Sequence, residues 1–291
     1  YTVSMKKLSR ILLIILTLIL IKSCARPTVV DVVMPRDKEL NCKELKDEYS
    51  ETRRFKQEAL DVQSAPGAQT ARSVFYQSSP VEGEFRTRSL EILAGIDNRQ
   101  TEYKESGCKF IVDVEKAFFS PRLSTERERI VGLVKDGEVV VNMFGGIGMF
   151  SILIAKTKKC TVYNIDINPE ATKLCNKNIE INKLVGNVIS IEGDSSKIKN
   201  YNIENKSDRT LMLLPEQSDK FLDSAILTTK NNGVIHYYSH IHADKKSDAP
   251  KLSEQHFLET TSVKSTILGS KIVRPVGPRF YQTVVDVRIE K

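Results

Sequence analysis

The sequence predicts an α/β fold, a Rossmann-like doubly wound sheet with an antiparallel C-terminal hairpin, preceded by a small α+β domain. Three observations predict it. From about residue 131 onward, short apolar runs alternate with helical patterns, as parallel strands covered on both faces require. One run, Val139–Val141, leads through Asn142 into a glycine turn at Gly145, Gly146 and Gly148, and the next run ends in Asp166. Near the end, Lys271 to Val276 and Tyr281 to Ile289 alternate like strands, with Pro275, Gly277 and Pro278 at or between their ends, which reads as a hairpin.

In chain order, residues 1–70 form a hydrophobic and charged segment of unassigned fold. Met5-Lys6-Lys7 and Arg10 precede an apolar run from Ile11 to Ile21, the pattern of a signal-peptide core and short for a membrane span. Lys43 to Leu60 can form an exposed helix, and Ser64 to Thr70, with Pro66 and Gly67, reads as a linker. Residues 71–130 read as the small domain, with strands at 73–77 and 110–114 and a helix start at Ser124 after Pro121. Residues 131–291 read as the large domain. Its strands are expected at 138–144, 160–166, 188–193, 208–214 and 233–239, and its helices at 149–157, 169–183 and 217–230. Asn168 and Pro169 form a cap and first-turn pair for the second of those helices.

Composition narrows the function classes. A net charge of +7 makes a polyanion a plausible partner. Five cysteines show neither a CxxC pair nor a cysteine–histidine cluster, so reduced packing thiols are expected rather than disulfides or zinc. No metal is expected: His240 and His242 alternate at a strand end with no acid motif beside them.

The glycine turn carries the chemistry. Glycines let backbone approach a ligand closely, and an acid at the end of the following strand can hold two ribose hydroxyls. The glycines are spaced G-G-x-G, with Asp166 eighteen residues after Gly148, which departs from the dinucleotide fingerprint and suits S-adenosylmethionine. Asn142 ends the first strand, near where the methionine moiety would lie. Asp194 ends the third, where it can accept from the adenine amino group. Phe144, Gly146, Gly148, Ile167 and Ser195 complete the expected cofactor contacts. Upstream, the arginines in 84–91 and 120–127 offer forks that match phosphate and the O6/N7 edge of guanine.

Five stretches carry a family resemblance: PheArgThrArgSerLeuGluIleLeuAlaGly (85–95), PhePheSerProArgLeuSerThrGluArg (118–127), AsnMetPheGlyGlyIleGlyMetPheSerIle (142–152), TyrAsnIleAspIleAsnProGluAla (163–171) and GlyValIleHisTyrTyr (233–238). Over residues 71–291 the chain resembles the archaeal and eukaryotic tRNA (guanine-N1)-methyltransferases, which act on the guanine 3′ of the anticodon, at position 37. The resemblance implies a class I methyltransferase fold, S-adenosylmethionine as cofactor and tRNA as partner, in a cytoplasmic monomer without a stable membrane partner. In that setting the run at 11–21 is expected to be a gene-model artefact or a buried helix, with a signal or anchor as the alternative.

The resemblance also implies roles. Guanine N1 carries a proton at neutral pH, so methylation there needs a base, and the family's base maps to Glu126. Its pKa is expected to rise in a desolvated site. Arg86 would hold guanine O6. Arg88, Arg122 and Arg127 would contact phosphate or neighbouring bases, and Leu213 and Pro215 would flank the target base. Leu213 stands where the family usually has an asparagine that grips the base, and its side chain can make no hydrogen bond. Two alternatives follow: the sister activity, transfer of the aminocarboxypropyl group in wyosine synthesis, or a protein that binds S-adenosylmethionine and tRNA without catalysis. Residues 1–60 do not resemble the outer-corner module that family members typically carry.

Overall fold

The structure is a computed structural model that describes residues 32–33, 73–79, 81 and 83–291. The expected run at 11–21, the helix at 43–60 and the linker at 64–70 lie outside the described residues. A short strand β1 (Val32–Val33) pairs in parallel with β2 (Val74–Gln77), and β2 pairs antiparallel with β3 (Leu90–Ala94). A hairpin follows, β4 (Gln100–Glu105) and β5 (Cys108–Asp113). Alternation along β5 turns Cys108, Phe110 and Val112 into a core shared with Ile130 and Val140, and the hairpin packs against the helices Met149–Thr157 and Pro169–Glu180 that cover the large sheet, with the Ile111 amide donating to Asn178 at 2.7 Å.

A 3-10 turn at Pro121–Leu123 feeds α1 (Ser124–Leu133), which runs through the boundary expected at 130. Then come β6 (Val139–Asn142), α2 (Met149–Thr157), β7 (Thr161–Asp166), α3 (Pro169–Glu180), β8 (Asn187–Glu192), β9 (Ser207–Met212), α4 (Ser218–Thr228), β10 (Thr229–His242), α5 (Ala249–Thr260), β11 (Ser265–Gly277) and β12 (Phe280–Ile289). The seven-stranded sheet has the order β11-β12-β10-β9-β6-β7-β8. Strands β8, β7, β6, β9 and β10 are parallel, while β12 runs antiparallel to both β10 and β11. This is the expected doubly wound sheet with its antiparallel end.

Local chemistry explains the site-bearing elements. Seven of the nine residues of α2 are buried, which its nearly all-apolar sequence permits. Gly148 caps it at φ 88°, and a Cβ there would come within 2.8 Å of the Cys175 sulfur. Asn168 caps α3 by accepting from the Glu170 amide at 3.0 Å, with Pro169 in the first turn. The strand order reverses between β6 and β9, and a crevice at the carboxyl ends of the strands is expected there. Among the described residues no helix is long and apolar enough to cross a membrane.

Candidate active site

A cavity of about 380 Å³ opens at that reversal, bounded by the segments that follow β6, β7, β8 and β9. At one end stands Asp166. Its Oδ2 accepts from the Gly146 amide at 2.6 Å and its Oδ1 from the Asn168 amide at 2.9 Å. Burial pushes this carboxyl up, and the two backbone N–H groups oppose the rise. Each oxygen keeps a further lone pair, enough for two vicinal hydroxyls. One strand over, Asp194 accepts from the Ser196 amide at 2.8 Å, and buried Ser195 donates to the Met143 carbonyl. Phe144 stacks edge-on against Phe221, 4.9 Å between centroids, and both rings line the cavity with Ile167. Two carboxylates at adjacent strand ends, between apolar faces, fit an adenosine-containing cofactor.

The other end is polar and comes from distant parts of the chain. Arg86 adopts a left-handed backbone, φ 52°, which is uncommon for a residue with a side chain. It is held by a two-pronged pair with Glu216, both N–O distances 3.0 Å, and its guanidinium lies 5.5 Å from the centre of the Phe118 ring. His240 Nδ1 is 3.8 Å from Glu216 Oε1. Burial lowers its pKa, Glu216 opposes that, and Arg274 and Arg86 add to it. Arg274 Nε donates to Gln282 Oε1 at 2.8 Å. Leu213 and Pro215 add apolar lining to the cavity.

Glu126 is 2% exposed and does not line the cavity. Arg129 donates to it through Nε and Nη2, the latter at 2.6 Å from Oε1; the Tyr238 hydroxyl donates to Oε1 at 2.6 Å; Lys271 Nζ lies 2.8 Å from Oε2. Burial alone raises this carboxyl, but Arg129 first, then Lys271 and Tyr238, outweigh it, and the pKa ends below its ordinary value. The rise expected from the sequence is therefore corrected: the site is desolvated but strongly cationic.

Other expected site residues are also placed away from the cavity. Arg127 is 2% exposed, with Glu105 taking Nε and Nη2 at 2.6 Å each and the Ser120 carbonyl taking Nη1. It ties α1 to β4, and its burial leaves it little access to a phosphate. Asn142 is fully buried, its Nδ2 donating to Ser151 in a chain that continues to Asn164 while its Oδ1 has no hydrogen-bond partner among the described residues, and it does not line the cavity. Gly148 caps α2 and does not line the cavity. Arg88 faces a separate groove with Ser79, Glu115 and Lys116, and Arg122 is exposed outside the cavity wall. Brought together in the cavity are Arg86, Phe144, Gly146, Asp166, Ile167, Asp194, Ser195, Leu213 and Pro215.

Residues 101–258, more than half of the chain, match the model of the TRM5/TYW2 methyltransferase domain. The chain belongs to the TRM5/TYW2 methyltransferase family. It is 40% identical over 221 residues to the tRNA (guanine(37)-N(1))-methyltransferase Trm5b of Pyrococcus abyssi, an alignment covering 75% of this chain and 64% of that protein's length. It is 33% identical to the tRNA(Phe) (4-demethylwyosine(37)-C(7)) aminocarboxypropyltransferase of Methanocaldococcus jannaschii, covering 76% of this chain and 87% of that one. The crystal structure of wild-type Trm5b from Pyrococcus abyssi superposes with a TM-score of 0.70 at 34% identity, covering 91% of this chain and 76% of that one.

For this TRM5/TYW2 member, sequence reasoning missed most of the polar end: Glu216, His240, Arg274 and Gln282. Glu216 directly follows Pro215 and could have been noted as the nearest acid to Arg86's target. His240 is two residues beyond Tyr238 on the same strand face. Arg274 and Gln282 carry no local signal, because the β11–β12 register that pairs them is set by bulges.

Proposed function

We propose that the chain is an S-adenosylmethionine-dependent tRNA methyltransferase that modifies N1 of the guanine at position 37. The observation that carries the reading is the two-ended cavity, with paired strand-end carboxylates at one end and the Arg86 fork at the other. S-adenosylmethionine, when bound, supplies a methyl group already made electrophilic by its sulfonium. Asp166 would hold the ribose, Asp194 the adenine amino group, and Phe144 and Ile167 the flat faces of the base. On the acceptor side, Arg86 leaves Glu216 and donates to guanine O6, where charge builds as N1 loses its proton. Pro215 and Leu213 pack against the base. Arg122, exposed beside the acceptor end, and Arg88 in its groove are suited to phosphate.

Glu126 is the base in this reading. It is ionised in the free protein, and of its three partners Lys271 has the most exposed side chain, at 40%. Departure of Lys271 as the acceptor enters bares Oε2 and raises its basicity. The partner is tRNA, the protein acts as a monomer in the cytoplasm, and no metal takes part.

The aminocarboxypropyl transfer stands as the second reading, favoured by Leu213 in place of a base-gripping amide and by the likeness to an aminocarboxypropyltransferase. Incubating the full chain with S-adenosylmethionine and unmodified tRNA, then analysing nucleosides by mass spectrometry, separates the readings. N1-methylguanosine supports the first. An added aminocarboxypropyl mass supports the second. Cofactor binding with neither product leaves a non-catalytic binder.

A further inference from the structure

Glu126 is held by a polar ladder on one face of the sheet. β10 and β12 pair so that His236 faces Asp286, Tyr238 faces Val284 and His240 faces Gln282. Side chains two apart on a strand share a face, so these are successive rungs. The rung of His240 and Gln282 lines the cavity. The next rung carries Tyr238, and across Val284 its register on β11 is Lys271; both bind Glu126. The third rung anchors Arg129: Asp286 accepts from its Nη1 at 2.5 Å and is itself 2.5 Å from His236 Nδ1.

The direction of each bond follows from the donors present. A guanidinium can only donate, so Arg209 Nη1, 2.8 Å from His236 Nε2, makes that nitrogen an acceptor. His236 is therefore neutral, with its proton on Nδ1 pointing at Asp286. Burial, which lowers the His236 pKa, favours the same state. Asp286 in turn is held well below the usual carboxylate range, because the His236 N–H and Arg129 outweigh its burial. Arg129 thus sits between two fixed anions, and its fork cannot turn away from Glu126 without leaving Asp286.

A merely structural ion pair would need no such arrangement, since apolar residues of the same volume stabilise a core as well or better. Here the ladder holds, one rung behind the cavity wall, the carboxylate that the proposed chemistry uses as its base. We propose that Arg129 and Tyr238 are positioning residues for methyl transfer, holding Glu126 as an oriented carboxylate ready for the acceptor's proton, with Asp286 and His236 anchoring Arg129. This rests on the reading of Glu126 as the base.

The test is the pH dependence of single-turnover methyl transfer by the full chain, with cofactor and tRNA saturating, for wild type, Arg129→Gln, Arg129→Lys and Tyr238→Phe. Removing the cation raises the Glu126 pKa, so less carboxylate is present at a given acidic pH. Arg129→Gln is expected to move the acid limb up by about one pH unit or more, a roughly tenfold lower rate on that limb that recovers at higher pH. Tyr238→Phe should move it the same way by less, and Arg129→Lys should largely restore it. Cofactor and tRNA affinities stay unchanged. A rate that falls equally at every pH, or a limb that does not move, overturns the inference. If Arg129→Gln does not fold, Tyr238→Phe, which removes one oxygen, decides alone. An active wild type with unmoved limbs sinks only the ladder; a wild type that makes no N1-methylguanosine sinks the reading beneath it as well.

Discussion

The cofactor end of the cavity is assembled from consecutive turns after β6, β7 and β8, whereas the acceptor end draws on segments as far apart as Arg86 and Gln282. The first is largely backbone: Gly146 and Asn168 amides fix Asp166, and the Ser196 amide fixes Asp194. The second is side chain on side chain, Arg86 on Glu216, Arg274 on Gln282. Backbone-made sites are rigid and already shaped for a nucleoside. Side-chain pairs must exchange partners when a base enters. Variants at the acceptor end should therefore change the rate of transfer, and variants at the cofactor end the affinity for S-adenosylmethionine.

The largest separation is expected from Glu126→Gln. The amide keeps the shape and loses the base, so single-turnover transfer should fall by about 10² to 10⁴. S-adenosylmethionine affinity, measured by calorimetry, should stay within about threefold, because no cofactor contact is touched. Unchanged turnover would remove Glu126 from the chemistry and leave it a structural anion.

Arg127→Ala sharpens the contrast between neighbours in one motif. Glu105, whose side chain is 9% exposed, would keep its charge with the Tyr103 hydroxyl but without its cationic partner. Losing one member of a buried pair costs about 3–5 kcal/mol, so chemical denaturation should show a large stability loss. Arg86→Ala, at a pair 30% and 38% exposed, should leave stability within about 1 kcal/mol and lower turnover instead. If Arg127→Ala proves stable and merely weak on tRNA, the phosphate role expected from the sequence is restored.

These neighbours also mark how far the sequence could be read. The placement of the glycine turn, Asp166 and Asp194 at one crevice was legible because each follows a strand of one alternating strand–helix run, and the topology then dictates where residues beyond a strand end must face. α2 appears at Met149–Thr157, the range expected. By contrast α5 buries Ala249, Ser253 and Phe257 but leaves Leu252 and Leu258 exposed, so its apolar residues do not mark one buried stripe. The strands β3 and β4 were missed because β4 alternates intermediate and exposed positions with charged residues on both faces. Arg127 and Asn142 could not be assigned from residue type, because an arginine or amide suits a ligand and a buried network equally. For Arg127 the partner Glu105 distinguishes the two, whereas Asn142 gives Nδ2 to Ser151 and keeps a buried Oδ1 without a partner among the described residues.

At the cofactor end, Asp166→Ala should weaken S-adenosylmethionine binding by roughly 10- to 100-fold, the loss of charge-assisted hydrogen bonds to hydroxyls. Turnover at saturating cofactor should change far less. The variant also frees the Gly146 and Asn168 amides, so a small stability loss is expected beside it. A large fall in the saturated rate with normal affinity would mean that the two ends are not separable.

The smallest effect is expected at the junction, from Leu213→Asn. Leu213 is half-buried, lines the cavity and packs against the core around Phe110 and Ile130. An amide there gains at most one or two hydrogen bonds to the base, worth about 1 kcal/mol net, and loses part of an apolar side chain worth a similar amount. Stability should therefore drop by about 1 kcal/mol in denaturant. The KM for tRNA should fall by a few-fold if a guanine sits against residue 213, with affinity for the cofactor unmoved. The same variant discriminates the two transfer reactions. If the wild type adds an aminocarboxypropyl group and Leu213→Asn adds a methyl group instead, the wall residue decides which carbon of the cofactor meets the base. If only KM moves, Leu213 contributes to acceptor affinity, and the choice of group rests with the cofactor end.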